Sequence, residues 1–222
     1  MATTMYDVIM DLPLFQGISR AQVSAFLEKT QVESINAERG ALIRPSGAAG
    51  DSLLYVISGT VQMQWTNDAG DIEICFTQGP RSLLGASHLF GMVRQTPYSV
   101  RALTKSSFIK IDKMQYLDLL QTQHVYLLNF INYLSLRAQK PLSQLAAITD
   151  DVPLSLLRTL IGTVTPTTAA DIELKLSVST LSRYCNMETS ALRLRLEALE
   201  RRGLIKLGKD SIAVSDRSAF LS

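Results

Sequence analysis

The sequence predicts an α+β fold, and three observations carry that reading. Short alternating apolar segments punctuated by glycine fill residues 32–111, a helical run with a heptad repeat follows, and the chain closes on helix, turn, helix and hairpin. The implied modules are a β-roll of jelly-roll type with a helical lead-in at 1–112, a long dimerisation helix at 113–150, and a winged helix-turn-helix at 151–222.

The lead-in reads as two short helices, 5–10 and 19–29, around Leu12-Pro13-Leu14-Phe15. Ser19 caps the second, and Val23, Phe26 and Leu27 turn inward. Strands are expected at 31–35, 53–58, 60–65, 72–77 and 99–103, separated by Gly40, Gly47, Gly50, Gly59, Gly70 and Gly79, with Asn67-Asp68-Ala69-Gly70 as a hairpin tip. A roll of this kind has an interior, which is a natural place for an effector.

Residues 113–150 read as helical almost throughout, with one interruption expected at Pro141, because an internal proline removes a hydrogen bond and clashes with the preceding turn. Leu127, Ile131, Leu134, Ala138, Pro141, Leu145 and Ile148 alternate steps of four and three, the seam of a two-stranded coiled coil, so a homodimer is expected.

In the last module, a helix over 179–186 is expected to bury Leu181, Tyr184 and Cys185, with Ser177 or Ser179 as its cap and Asn186 at its close. A second helix over 189–202 repeats leucine at Leu192, Leu196 and Leu199 until Gly203 stops it. The runs 204–207 and 211–214, joined by Gly208-Lys209-Asp210, form the wing. With the leucines inward, Thr189, Ser190, Arg193, Leu194 and Glu197 lie on the face a major groove accepts and are the base-reading candidates. Arg183, Arg195, Arg201, Arg202, Lys206 and Lys209 flank that face and suit phosphate oxygens.

Composition narrows the function. The 222 residues are 46% hydrophobic and 19% charged with net charge +2, enough for one large or two modest domains. The basic excess lies in residues 151–222, which hold ten Lys/Arg against eight Asp/Glu, while residues 1–150 balance at twelve each. Two distant cysteines, Cys75 and Cys185, suggest neither a disulfide framework nor a metal site, and no stretch approaches the roughly 18 apolar residues of a membrane span. A cytoplasmic protein without membrane partners is expected. An enzyme is not, since the chain lacks a phosphate-cradling Gly loop followed by Lys-Ser/Thr, a nucleophile elbow and a His pair at metal spacing. The competing class is a ligand-binding or protein-interaction module whose helix-turn-helix meets a protein partner.

Several residue strings resemble those of one family. They are the segment 54–61 (LYVISGTV), Leu84-Gly85 with Leu89-Phe90, Val100-Arg101-Ala102, and Leu199-Glu200 with Gly203-Leu204-Ile205. In this order and spacing, over nearly the full chain, they resemble the cyclic-AMP receptor protein and fumarate-nitrate reduction regulator (CRP/FNR) family of bacterial transcription regulators. The resemblance implies a dimer on a pseudo-palindromic double-stranded DNA operator, RNA polymerase as a partner, and an unidentified small-molecule effector contacted from Gly85, Ala86, Ser87, Thr96 and Pro97 in the roll.

Departures from the family pattern bear on that effector. Cyclic-AMP binders of the family carry glutamate where this chain has Ala86, and arginine and serine where it has Thr96 and Pro97. Arg94, two residues away, reads as a surface arginine. Cyclic AMP is therefore not expected to bind, and a less charged or more apolar effector is. An iron-sulfur cluster needs about four cysteines. Haem would need a ligand such as His88, which reads as an ordinary loop residue, so no cofactor is expected.

Overall fold

Local signals in the sequence set most element boundaries in the computed structural model, which describes residues 5–10, 12–29 and 32–222. In chain order the first elements are α1 (Met5–Met10), α2 (Arg20–Lys29), β1 (Glu33–Ala37), β2 (Leu42–Arg44), β3 (Ser52–Ser58), β4 (Val61–Thr66), β5 (Glu73–Gln78), β6 (Leu83–Leu84), β7 (Tyr98–Ala102) and β8 (Ser106–Asp112). The remainder are α3 (Lys113–Thr122), α4 (His124–Ala146), α5 (Val152–Val164), β9 (Ala170–Lys175), α6 (Val178–Cys185), α7 (Thr189–Arg201), β10 (Lys206–Leu207), β11 (Ser211–Val214) and α8 (Arg217–Leu221).

The chain divides into two units, Met1–Val61 with Gly79–Arg137, and Gln62–Gln78 with Ala138–Ser222. In the first, an antiparallel sheet runs β1-β8-β3-β6, and β2 pairs with β7. β3 is buried from Ser52 through Val56 because both its faces are covered. Leu53 and Tyr55, with Ile109 and Ile111 of β8, join a core with Leu12, Leu14, Phe15 and Val23 of the lead-in and Tyr116, Tyr126 and Phe130 of α3 and α4. Alternation turns Leu54, Val56 and Phe108 to the opposite face. Between β3 and β4 the turn needs glycine: Gly59 has φ 85°, and a Cβ there would overlap Ser106 Oγ.

Several expectations are corrected here. The first strand is displaced to β1, where its register against β8 pairs Glu33 with Lys110 and Ala37 with Ser106; Gln31 lies outside the described residues. The helical stretch breaks at Gln123 (φ −146°, ψ 123°), between α3 and α4, and not at Pro141. Pro141 sits inside α4 at an exposed position, where water can satisfy the carbonyl the proline leaves free. α3 starts at a capping box formed by Asp112 and Gln115.

The seam residues divide as well. Leu127, Ile131, Ala138 and Leu145 are exposed along α4, while Leu134 is partly buried against the roll's own core, beside the buried Tyr126 and Phe130. Ile148 is exposed but lies beyond the end of α4, so it extends no helical seam. One face of α4 thus packs on the roll and another is left apolar and open.

In the second unit the strand order is β10-β11-β9-β5-β4. β9, which the sequence pattern does not mark, pairs antiparallel with β11 on one side and β5 on the other, Glu73 opposite Lys175 and Ile74 opposite Leu174. This ladder moves the β4–β5 hairpin out of the expected 1–112 module and into the C-terminal unit. α5 is capped by Asp151, whose side chain accepts from Leu154 N, and Pro153 occupies its first turn, where a missing N–H costs nothing. Among the described residues no helix is long and apolar enough to cross a membrane.

Candidate functional site

Two mirrored stop signals build the helix pair of the second unit. Ser177 Oγ accepts from Thr180 N at 3.0 Å and opens α6. Asn186, left-handed at φ 49°, closes it: Asn186 N donates to Arg183 O and Met187 N to Ser182 O. α7 ends in the same way at Gly203 (φ 73°), with Gly203 N donating to Glu200 O and Leu204 N to Leu199 O. That closure explains why β10 is only Lys206–Leu207: Leu204 is spent on the helix end and Ile205 is buried.

α7 is one-sided. Leu192, Leu196 and Leu199 are buried, each worth about 1.5–3 kcal/mol relative to exposure. On the opposite face Thr189, Ser190, Arg193 and Leu194 are exposed and Glu197 is half-buried. Thr189 Oγ1 also donates to Ser182 Oγ at 3.2 Å, tying the start of α7 to α6. Arg193 and Glu197 share a cleft of 400 Å³ with Ser177, Gly208 and Lys209, so the outer face of α7 and the β10–β11 turn border one space.

The phosphate candidates do not behave alike. Arg201, Arg202, Lys206 and Lys209 are exposed. Arg195 reaches 3.8 Å from Asp151 at the start of α5, a solvent-exposed pair of little weight. Arg183 is engaged by Asp71, from the β4–β5 hairpin. Tyr184, expected inward, is instead 44% exposed and donates its hydroxyl to Asp71 at 3.0 Å. Leu181 and Cys185 are buried as expected.

Asp71 is held by its own turn. Asn67 Nδ2 donates to it at 2.8 Å, and the N–H groups of Asp71 and Ile72 donate to Asn67 Oδ1. The Asn67 hydrogen bond, with burial opposing and Tyr184 and Arg183 adding, holds the Asp71 carboxyl below the usual carboxylate range. Further along the hairpin, Lys175 Nζ donates to Glu73 at 2.7 Å, Thr77 Oγ1 to Asp171 at 2.9 Å and Gln78 Nε2 to Thr168 at 3.0 Å.

In the first unit, the turn after β6 carries three of the effector candidates. Gly85 is left-handed at φ 91° and a Cβ there would lie 2.6 Å from Arg44 Nη1. Ala86 is buried and Ser87 exposed. Thr96 is buried but committed to backbone pairing: its N–H and Oγ1 both donate to Ala48 O, and its carbonyl accepts from Gly47 N. Pro97 is half-buried and Arg94 exposed.

Sequence reasoning did not single out two arginines of this unit. Arg44, on β2, is 7% exposed, and its Nη2 donates to Ser52 O at 3.2 Å and Ser52 Oγ at 3.0 Å. Burial pulls its pKa down while Asp51 opposes. Arg137, on α4, donates to Tyr133 OH at 3.2 Å and lies 5.7 Å over the Tyr133 ring. Burial, then Arg137, then Arg44 depress the pKa of His88. The only signal for Arg44 in the sequence is a charge closing the apolar pair Leu42-Ile43 before Pro45.

Residues 34–123 match the cyclic nucleotide-binding domain family. The fold is similar to that of the catabolite activator protein of Thermus thermophilus, at 21% identity and TM-score 0.56, covering 94% of this chain and 96% of that one. It is also similar to the sensor domain of the transcriptional regulator DNR from Pseudomonas aeruginosa, at 20% identity and TM-score 0.53, over 65% of this chain and 93% of that one. The c-di-GMP responsive global regulator CLP of Xanthomonas campestris aligns at 20% identity and TM-score 0.50, over 89% and 99%. No curated protein matches the sequence. The chain resembles the CRP/FNR regulators in its fold.

Proposed function

We propose that this protein is a homodimeric, sequence-specific DNA-binding transcription regulator of the CRP/FNR type, and not an enzyme. The observation that carries the reading is α7: three buried leucines set Thr189, Ser190, Arg193, Leu194 and Glu197 on the outer face, beside the β10–β11 hairpin. α6, the turn at Asn186–Glu188, α7 and that hairpin act as a winged helix-turn-helix, with α7 in the major groove. Arg193 is the bidentate reader of guanine, Leu194 offers apolar contact to a thymine methyl, and the exposed Arg201, Arg202, Lys206 and Lys209 hold phosphates.

The open face of α4 supports the dimer. Leu127, Ile131, Ala138 and Leu145 leave an exposed apolar stripe that a second copy of the helix covers. Two reading helices related by a two-fold axis imply half-sites about 34 Å apart. The roll serves as the effector module. RNA polymerase is a partner by family resemblance, in the cytoplasm.

The test is fluorescence anisotropy with labelled duplex selected from a random pool, repeated in rising salt. A regulator clamping several phosphates loses affinity steeply with salt. A chain that selects no sequence, or whose partner is a protein with salt-insensitive affinity, sinks the reading in favour of an interaction module.

A further inference from the structure

A groove of 540 Å³ opens on the first unit, lined from β1, β2, β3 and β8. Its lining has two characters. Ile35, Leu42, Ile43 and Leu54 supply an apolar part, where Leu42 is left half exposed, while Arg44, Asp51 and Ser52 supply a charged part.

Four ionic side chains border the groove, and two of them are already answered. Lys110 pairs with Glu33 at 3.1 Å and Asp112 at 3.4 Å, and Glu38 pairs with Lys105 at 3.0 Å. Among the described residues Arg44 and Asp51 join no ion pair. Arg44, nine-tenths buried, spends only Nη2, on Ser52 O at 3.2 Å and Ser52 Oγ at 3.0 Å, so Nε and Nη1 take no acceptor. Asp51 Oδ1 accepts from Ser52 Oγ at 3.1 Å, which leaves Oδ2 open. The Ser52 hydroxyl therefore stands between a guanidinium and a carboxylate, and its two bonds keep the opposite charges within about 6 Å of each other without bringing them together.

A buried charge that lacks a counter-charge keeps its desolvation cost, so a ligand that answers both groups at once is favoured. An α-amino acid carries a carboxylate and an ammonium on one carbon, and charge-assisted hydrogen bonds of about 2.8 Å at each end span a gap of that size. A guanidinium fork matches the carboxylate, and the ammonium suits the open carboxylate oxygen. A dianion would meet the carboxylates of Asp51 and Glu38, whereas a zwitterion brings no net charge. Among the described residues the lining holds aliphatic side chains and no aromatic ring.

We propose that this groove binds an α-amino acid with an aliphatic side chain, its carboxylate on Arg44, its ammonium on Asp51 and its side chain against Leu42, Ile43 and Leu54. The contacts come from β2 and β3 and their flanks, and not from residues 85–87, 96 or 97. The inference rests on reading the roll as an effector module, and it names a ligand class for that module.

Titration calorimetry on the full chain with L-leucine tests it. Saturation at one site per chain is expected, with a dissociation constant below about 1 mM. Isocaproate, which lacks the ammonium, and isoamylamine, which lacks the carboxylate, should each bind at least tenfold more weakly. Arg44→Met and Asp51→Asn should each weaken L-leucine binding at least tenfold. Should Arg44→Met fail to fold, Asp51→Asn decides, because that residue is exposed and its carboxylate accepts a single hydrogen bond. Absent saturation, isocaproate binding as tightly as L-leucine, or unchanged binding in Asp51→Asn would each overturn the proposal. DNA affinity, measured separately without L-leucine, reports on the regulator reading: a chain that binds duplex but no L-leucine loses only the amino-acid site, and the converse loses only DNA recognition.

Discussion

Helix α7 and strand β2, beside the turn after β6, hold their polar side chains in opposite places. α7 displays them outside, at positions that recur with the helical period opposite three buried leucines. The roll holds that of β2 inside, with the buried Arg44 placing Nη1 beside Gly85 in the turn after β6. A helical face is a local property that a short stretch of sequence can state. An interior is assembled from distant segments, and which charge meets which turn depends on the pairing of strands. The difference also changes the energetics: the exposed arginines on α7 keep their hydration, whereas the buried Arg44 bears a desolvation penalty.

The largest expected effect breaks a surface. Ile131→Asp together with Leu145→Asp places charges on the open face of α4 without touching Tyr126 or Phe130, and should yield monomers by sedimentation. Operator affinity should fall toward the non-specific range, roughly 10³-fold or more. Dimers that persist with operator binding intact would show that this face is not the seam.

Next in size is the reading face itself. Arg193→Ala should cost about 1–3 kcal/mol and relax preference at one base position, while Lys209→Ala should weaken all sequences about equally. An identical motif selected by wild type and Arg193→Ala would remove Arg193 from base readout, and with it the claim that the outer face of α7 states its function locally.

A smaller effect tests where the two kinds of region meet in one unit. Asp71 occupies Arg183 and Tyr184, so Asp71→Asn should release Arg183 for phosphate and raise duplex affinity by a few-fold at most. Because the folded pKa of Asp71 is lowered, the contact is fully present above the unfolded carboxylate pKa and is lost only as pH falls through the lower value. Affinity of wild type relative to Asp71→Asn should therefore be flat between about pH 6 and 8. A ratio that changes across that window would assign the contact to another titrating group.

The smallest effect lies in the core. The hydroxyls of Tyr55, Tyr116 and Tyr126 are buried without a partner among the described residues, and burial pushes the pKa of each up. Tyr116→Phe removes a polar atom that has no bond to lose, so chemical denaturation should show stability unchanged or raised by up to about 1 kcal/mol. A loss above that would mean the hydroxyl is bonded in solution.

By itself the sequence determined the helix pair, its caps at Ser177 and Asn186, the stop at Gly203, the inward leucines and most roll strands, because each is written in residues a few positions apart. It misplaced what depends on distant partners. The break at Gln123 in place of Pro141, the packing of Leu134 onto the roll, the exposure of Tyr184 and the transfer of the β4–β5 hairpin to the C-terminal unit all follow from contacts that no local pattern encodes. Only the tertiary structure brought Arg44 over Gly85, with β2 paired to β7 and Arg44 bonded to Ser52, and a buried charge is recognisable as one only after the chain has closed around it.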